Sequence, residues 1–75
     1  MRMVDYNNLW IVMKNKKMSK TELRIAANLS TSTFAKLSKN QMVSLDVLVR
    51  LCRVLECQLS DICYIPTEKR GEDFE

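Results

Sequence analysis

The chain has 75 residues, of which 47% are hydrophobic, 28% are charged and 7% are aromatic, and its formal net charge is +3. That length corresponds to one small domain, and the composition is too apolar for a disordered chain. One glycine and one proline are too few for the turns of a many-stranded sandwich or barrel, so helices are expected. Because so small a core leaves little room for a deep cleft, the length argues against most classes of enzyme.

Several absences narrow the function further. The chain has no histidine, and therefore no imidazole base or imidazole metal ligand. It has no apolar run of membrane-spanning length, and residues 1–5 do not resemble a signal peptide, so we expect a cytoplasmic protein. Cys52, Cys57 and Cys63 lack the spacing of a zinc site and are predicted to be small buried hydrophobes, with a redox or metal role as the alternative. No cofactor and no metal is expected.

The positive charge is concentrated in one segment. Residues 14–39 contain seven lysine or arginine residues and a single acidic residue, Glu22, which gives the segment a net charge of +6. A basic segment in an otherwise neutral or acidic chain is typical of a nucleic-acid contact. A solvated lysine-rich face is the alternative interpretation of the same pattern.

Serine residues mark three helix starts. Ser19 is followed three residues later by Glu22, which is the pattern of a capping box. Ser30 and Ser44 are predicted to cap two further helices, since each is flanked by apolar residues at the spacing of a hydrophobic staple. The staple pairs are Met18 and Leu23, Leu29 and Phe34, and Val43 and Leu48.

The apolar spacing predicts helices at about 6–15, 20–27, 31–38 and 45–56, followed by a short fifth helix near Leu59 and Ile62. Residues 63–65 are predicted to be extended and to end at Pro66, with residues 1–4 as a candidate partner strand. Residues 67–75 are polar and acidic, which predicts a frayed tail.

The connection between the second and third helices is only three residues long, and this predicts a steep crossing of the two helices, as in a helix-turn-helix. Asn28 tolerates the left-handed backbone that such a turn needs, and Leu29 is predicted to fill the angle between the helices. Leu23, Ala26 and Ala27 are predicted to line the packed side of the second helix, and the two alanines are small enough for close approach. A plain antiparallel hairpin is the alternative.

The third helix has an outer face suited to a DNA groove. If Phe34 and Leu37 point inward, the outer side chains are short, polar or cationic, and none is a carboxylate. A helix entering the major groove needs short side chains near its N-terminus and donors that reach base edges. The outer residues are Thr31, Ser32, Ala35, Lys36 and Lys39.

In the order and spacing of these features, the chain resembles the Cro/lambda-repressor-like helix-turn-helix family, often called the Xre family, and in particular its short bacterial members. The resemblance covers about residues 5–63 and rests on residues 6–10, 18–24, 26–30, 34–37, 43–48, 51–55 and 59–62. The chain departs from the family pattern at Arg24, where alanine is usual, at Asn28, where glycine is usual, and at Glu56, where glycine or asparagine is common.

The resemblance implies an all-α, compact five-helix lambda-repressor-like domain at residues 1–66, and it leaves open short extended segments at the ends. It implies a transcription regulator, expected to be a repressor, that binds double-stranded DNA and places the third helix in the major groove. A homodimer is expected at least on DNA, because one recognition helix contacts too few base pairs for a unique address. The base-facing residues it implies are Thr31, Ser32, Thr33 and Lys36. The phosphate-facing groups it implies are the side chains of Lys20 and Lys39 and the backbone around Asn40 and Gln41.

Two questions about the surface of the fourth helix stay open. Val47, Val49 and Val54 on the fourth helix and the edge at residues 63–65 are candidate dimer contacts, although the same residues also suit a core or a scattered surface role. A protein-interaction module, such as an antitoxin or an accessory subunit, would use the apolar side of the fourth helix for a partner.

Overall fold

The structure, a computed structural model, describes residues 4–66. Within that range the chain forms four α-helices and one 3-10 turn, so the all-α prediction is confirmed. The helices are α1 (Asn7–Asn15), α2 (Lys20–Ala26), α3 (Thr31–Ser38) and α4 (Leu45–Leu55). The predicted fifth helix is the single 3-10 turn Leu59–Asp61, and the other bounds differ from prediction by at most one residue. The tail at 67–75 and residues 1–3 of the candidate strand at 1–4 lie outside the described residues.

The three serine caps are where the sequence predicts them. Ser19 accepts a hydrogen bond from the backbone N–H of Glu22, and the Glu22 carboxylate accepts one from the Ser19 N–H, which completes the capping box. Ser30 caps α3 by accepting from the N–H of Thr33, and Ser44 caps α4 by accepting from the N–H of Val47. Each cap satisfies a helix N–H that has no partner within its own helix.

The core lies where the helices converge. Leu9, Leu23, Leu37, Leu51 and Leu55 have no exposed surface. Burying a leucine side chain stabilises the fold by roughly 1.5–3 kcal/mol, so these residues account for much of the driving force. Every helix contributes to this one cluster, which therefore fixes α2 and α3 relative to the rest of the domain.

The two ends of the described chain meet at one point. Asp5 and Tyr64 form an isolated antiparallel bridge, with backbone N–O distances of 2.8 and 3.0 Å. The sequence predicts an extended segment at 63–65 with residues 1–4 as its candidate partner, and the structure pairs it through Tyr64 with Asp5, one residue beyond that partner segment. The Asp5 side chain is buried, and its Oδ1 accepts from the N–H of Asn7 at 2.7 Å at the start of α1.

Four turns use left-handed backbone without glycine. Lys17, Asn28, Asn40 and Glu56 have φ between 55° and 60°, and each follows the end of an α-helix. A left-handed residue after a helix redirects the chain while its N–H still bonds back to the last turn. The prediction for Asn28 is therefore confirmed.

Two predictions about burial are wrong. Ala26 is predicted to line the packed side of α2, but it is exposed, because Leu23 and Ala27 make the core contacts of that helix. The cysteines were expected to be buried, but Cys52, Cys57 and Cys63 are only half-buried. All three pack against the margin of the core, near the C-terminal end of the described chain.

No helix among the described residues is long and apolar enough to cross a membrane.

Candidate nucleic-acid interface

Helix α3 has one buried side and one solvent-facing side. Phe34 and Leu37 are buried, as predicted. Thr31, Ser32 and Lys36 are exposed, whereas Thr33 is half-buried. The three exposed residues therefore lie on the side of α3 that a ligand can reach.

At the N-terminus of α3, a small network of hydroxyl groups engages some of the predicted base-facing residues and not others. The Ser30 hydroxyl donates to Thr33 Oγ1 at 3.0 Å and lies 3.2 Å from the Ser32 hydroxyl. The Thr33 hydroxyl thus belongs to the helix cap, while the Thr31 side chain makes no hydrogen bond to any described residue. Thr31 and Lys36 are consequently the members of the predicted set whose polar atoms are most available to a ligand.

The charge on this face has no direct counter-charge within residues 4–66. The ion pairs there join Lys16 to Glu56 at 3.3 Å and Arg50 to Asp46 at 3.0 Å, and neither pair involves α3. Between Glu22 and Asp46 the sequence contains no carboxylate. The ammonium groups of Lys36 and Lys39 therefore produce a positive field around α3 that direct pairing does not cancel.

The first predicted phosphate-facing residue, Lys20, is exposed at the start of α2. Its Nζ lies 4.5 Å from the ring centroid of Trp10 in α1. The second, Lys39, is exposed and follows the last residue of α3. The two lysines flank the helix pair, with one at the start of α2 and the other after α3.

The other two predicted phosphate-facing residues, Asn40 and Gln41, make bonds within the protein. The N–H of Asn40 donates to Leu37 and that of Gln41 to Lys36, so both backbone amides are engaged at the end of α3. Asn40 Oδ1 accepts from the Tyr6 N–H at 2.9 Å, and the Gln41 carbonyl accepts from the Tyr6 hydroxyl at 2.8 Å. A phosphate contact in this loop is therefore left to the side-chain amides.

Two arginines hold the turn between α2 and α3. Arg24 Nη1 donates to the carbonyl of Leu29 at 3.3 Å, and Arg50 Nη1 donates to the carbonyl of Asn28 at 3.1 Å. Arg24 is half-buried, and its charged end reaches along the surface to the turn. Leu29 is buried between the helices, as predicted. The turn is thus tied both to α2 and to α4.

Three residues that position this interface were not identified from the sequence: Tyr6, Trp10 and Arg50. Tyr6 holds the loop after α3, Trp10 packs against Phe34 with ring centroids 5.7 Å apart, and Arg50 bonds to the turn. A single tryptophan beside a lysine-rich stretch was the available signal for Trp10. Tyr6 and Arg50 act over 35 and 22 residues of sequence, and local patterns do not show such contacts.

The cysteines lie away from α3 and near a shallow apolar groove. Cys52 and Cys57 line this groove, of about 400 Å³, together with Leu45, Val49 and Leu59. Burial, together with the neighbouring Cys57, raises the pKa of Cys52 to about 11, and burial also raises the pKa of Cys57 and of Cys63. The thiols are therefore protonated at neutral pH, which disfavours the reactive thiolate of a redox sensor. No group of potential metal ligands occurs among residues 4–66.

The predicted contact residues on α4 divide into two kinds. Val49 is 41% exposed, whereas Val47 and Val54 are half-buried and pack against the core. On the terminal edge, Tyr64 and Ile65 are exposed. Of the three α4 valines, Val49 is therefore the one that offers an apolar surface to a partner.

Comparison with known proteins agrees with the geometry. Residues 8–68 match the family model of the Cro/C1-type HTH DNA-binding domain. Among solved structures, the crystal structure of the transcriptional regulator VanUg is similar, with a TM-score of 0.84 and 47% sequence identity over 88% of each chain. No curated protein matches the chain.

The matched region contains the turn between α2 and α3, every predicted contact residue and all four α-helices, apart from the first residue of α1. The likeness to VanUg covers the same compact helical arrangement at an identity well above that of a fold-only match. The chain is therefore a member of the Cro/C1-type helix-turn-helix family of DNA-binding domains.

Proposed function

We propose that this protein is a sequence-specific regulator of transcription, acting as a repressor, that inserts α3 into the major groove of double-stranded DNA. The observation that carries the proposal is the outer face of α3, where exposed Thr31 and Ser32 precede exposed Lys36. Short side chains at the N-terminal end allow the helix to approach base edges, and the cation follows one turn later. VanUg is described as a transcriptional regulator, which supports this use of the fold.

Lys36 is the proposed reader of sequence. Its ammonium group has donors that suit guanine O6 and N7, and a good base contact of this kind discriminates by roughly 1–3 kcal/mol. The hydroxyl groups of Thr31 and Ser32 can hydrogen-bond to either a base or a phosphate. They therefore contribute less than Lys36 to sequence specificity. Thr33 has a supporting role, because its hydroxyl is bonded to Ser30.

The phosphate contacts are assigned to the two ends of the helix pair. Lys20 meets the backbone at the start of α2, and Lys39 meets it after α3, together with the side-chain amides of Asn40 and Gln41. These contacts orient the domain without selecting a sequence. The bonds from Tyr6 to the loop keep Asn40 and Gln41 at a fixed distance from α1.

We propose that the protein acts as a homodimer, at least on DNA. One recognition helix contacts too few base pairs for a unique address, and two half-sites about 34 Å apart fit a twofold pair of such domains. The exposed side of α4, with Leu45 61% and Val49 41% exposed, is a candidate contact surface for the second copy. The proposed ligand also implies a cytoplasmic location.

The deciding experiment is selection from random duplex DNA, followed by binding assays on the selected site with two lysine variants. Lys36→Ala is expected to relax specificity at one base pair per half-site. Lys20→Ala is expected to weaken binding to all sequences alike, and to make the log–log plot of affinity against salt shallower by about 0.9 for each phosphate no longer neutralised. Lys16→Ala, whose ammonium already pairs with Glu56 and which lies outside the predicted contact set, is the matched lysine control.

The outcomes separate the proposal from its alternative. If Lys36→Ala and Lys20→Ala change binding in the same way, the assignment of α3 as the reading helix is wrong. If the protein binds no duplex at low salt, a protein-interaction module is the better interpretation. The groove beside Val49 favours that second candidate, which predicts that Val49→Asp abolishes function while Lys36 is dispensable.

A further inference from the structure

Trp10 connects three helices through two ring contacts. It lies in α1, its ring meets that of Phe34 in α3 edge to face at an interplanar angle of 64°, and the ammonium of Lys20 in α2 lies over it. The edge-to-face contact is a favourable arrangement of two aromatic rings, and it orients the indole. Because the Phe34 ring is buried in the core, it is a fixed support for the tryptophan.

The position of Lys20 is unfavourable for a cation in the absence of that ring. Lys20 is the first residue of α2, where the positive end of the helix dipole disfavours a positive side chain. No carboxylate pairs with it among residues 4–66. The face of an indole attracts an ammonium group, and tryptophan is the best of the aromatic side chains for this contact. The ring therefore compensates for the local electrostatics and restricts a long, flexible side chain.

We propose that Trp10 is a positioning residue for the contact between Lys20 and the DNA backbone. The inference rests on the proposed function and deepens it. The stack of Phe34, Trp10 and Lys20 places the ammonium at a set distance from the helix that reads the bases. An ammonium group has three donors, so a ring on one side leaves N–H groups for a phosphate on the other. Lys20 thus meets its phosphate with its rotamer already restricted.

A double-mutant cycle tests this role. Trp10→Leu alone is expected to weaken DNA binding by about two- to fivefold per half-site, the factor that corresponds to 0.5–1 kcal/mol for an exposed cation–π contact. In a Lys20→Ala background, the same substitution is expected to have no further effect. Trp10→Phe keeps an aromatic face and is expected to restore most of the affinity. Ile11→Ala, an exposed neighbour on α1 with no part in the stack, is the control.

A second measurement on the DNA-free protein keeps this inference distinct from the proposed function. The side-chain protons of Lys20 are expected to show upfield ring-current shifts in the NMR spectrum, and these shifts are expected to disappear in Trp10→Leu. If the shifts are present and no duplex binds, the proposed function fails while the contact is real. If the effects of Trp10→Leu and Lys20→Ala on binding simply add, or if the shifts are absent, the positioning role is overturned.

Discussion

The left-handed turn between α2 and α3 makes a prediction about Asn28 that depends only on the backbone. Asn28 has a φ of 58°, is exposed, and its side chain makes no hydrogen bond to any described residue. Its carbonyl accepts from Arg50, and this bond survives any change of side chain. For a residue with a Cβ this conformation costs roughly 1–2 kcal/mol, for asparagine less than for most, and for glycine almost nothing.

Asn28→Ala is therefore expected to lower the free energy of unfolding by about 1 kcal/mol, which for a domain of this size is a fall in Tm of roughly 4–8 °C. Asn28→Gly is expected to match or exceed the wild type in stability. Urea unfolding followed by far-UV circular dichroism measures both, with the free energy extrapolated to water.

The matched control is Ala26→Gly, two residues earlier on the exposed side of α2. There the backbone is helical, so glycine is expected to destabilise the protein by about 0.5–1 kcal/mol. Glycine is thus expected to have opposite effects on stability at the exposed positions 26 and 28. Equal stability of Asn28→Ala and Asn28→Gly would refute the left-handed assignment.

Three further predictions concern stability elsewhere in the domain. Tyr6→Phe removes the 2.8 Å hydrogen bond to the Gln41 carbonyl and is expected to cost about 1 kcal/mol in urea unfolding. Burial raises the pKa of Cys52 to about 11, so its thiol holds the proton more tightly in the folded than in the unfolded state. The free energy of unfolding is therefore expected to fall as the pH rises from about 9 to 11, and to fall less steeply in Cys52→Ala. Glu56 has a φ of 55°, so Glu56→Gly is expected to have a free energy of unfolding about 0.5–1 kcal/mol higher than Glu56→Ala. Both variants lose the same exposed ion pair to Lys16, so the comparison isolates the backbone effect. Equal stability of the two variants would contradict this prediction.

Features with a local physical signature could be predicted from the sequence. Ser19, Ser30 and Ser44 cap their own helices within three residues, so each start was found to within one residue. The buried and exposed sides of α3 followed from the spacing of Phe34 and Leu37. The family resemblance came from the same local features taken in order, and the family match confirms it.

Contacts between distant segments could not be predicted in this way. The family resemblance implies that Asn40 lies at a phosphate, but the sequence contains no sign that Asn40 Oδ1 bonds to Tyr6, 34 residues away. The exposure of Ala26 was missed because alanine fits either side of a helix. The cation–π contact between Trp10 and Lys20 joins two helices whose relative rotation depends on the whole core.

The indole at the junction of three helices also has a practical consequence. Trp10 is the only tryptophan in the chain, and it is half-buried between the core and the start of α2. Indole emission responds to the polarity around the ring, so the intrinsic tryptophan fluorescence of the unmodified protein comes from this one location. Titration with unlabelled oligonucleotides can therefore follow binding at the α2 side of the domain with no dye attached to either partner.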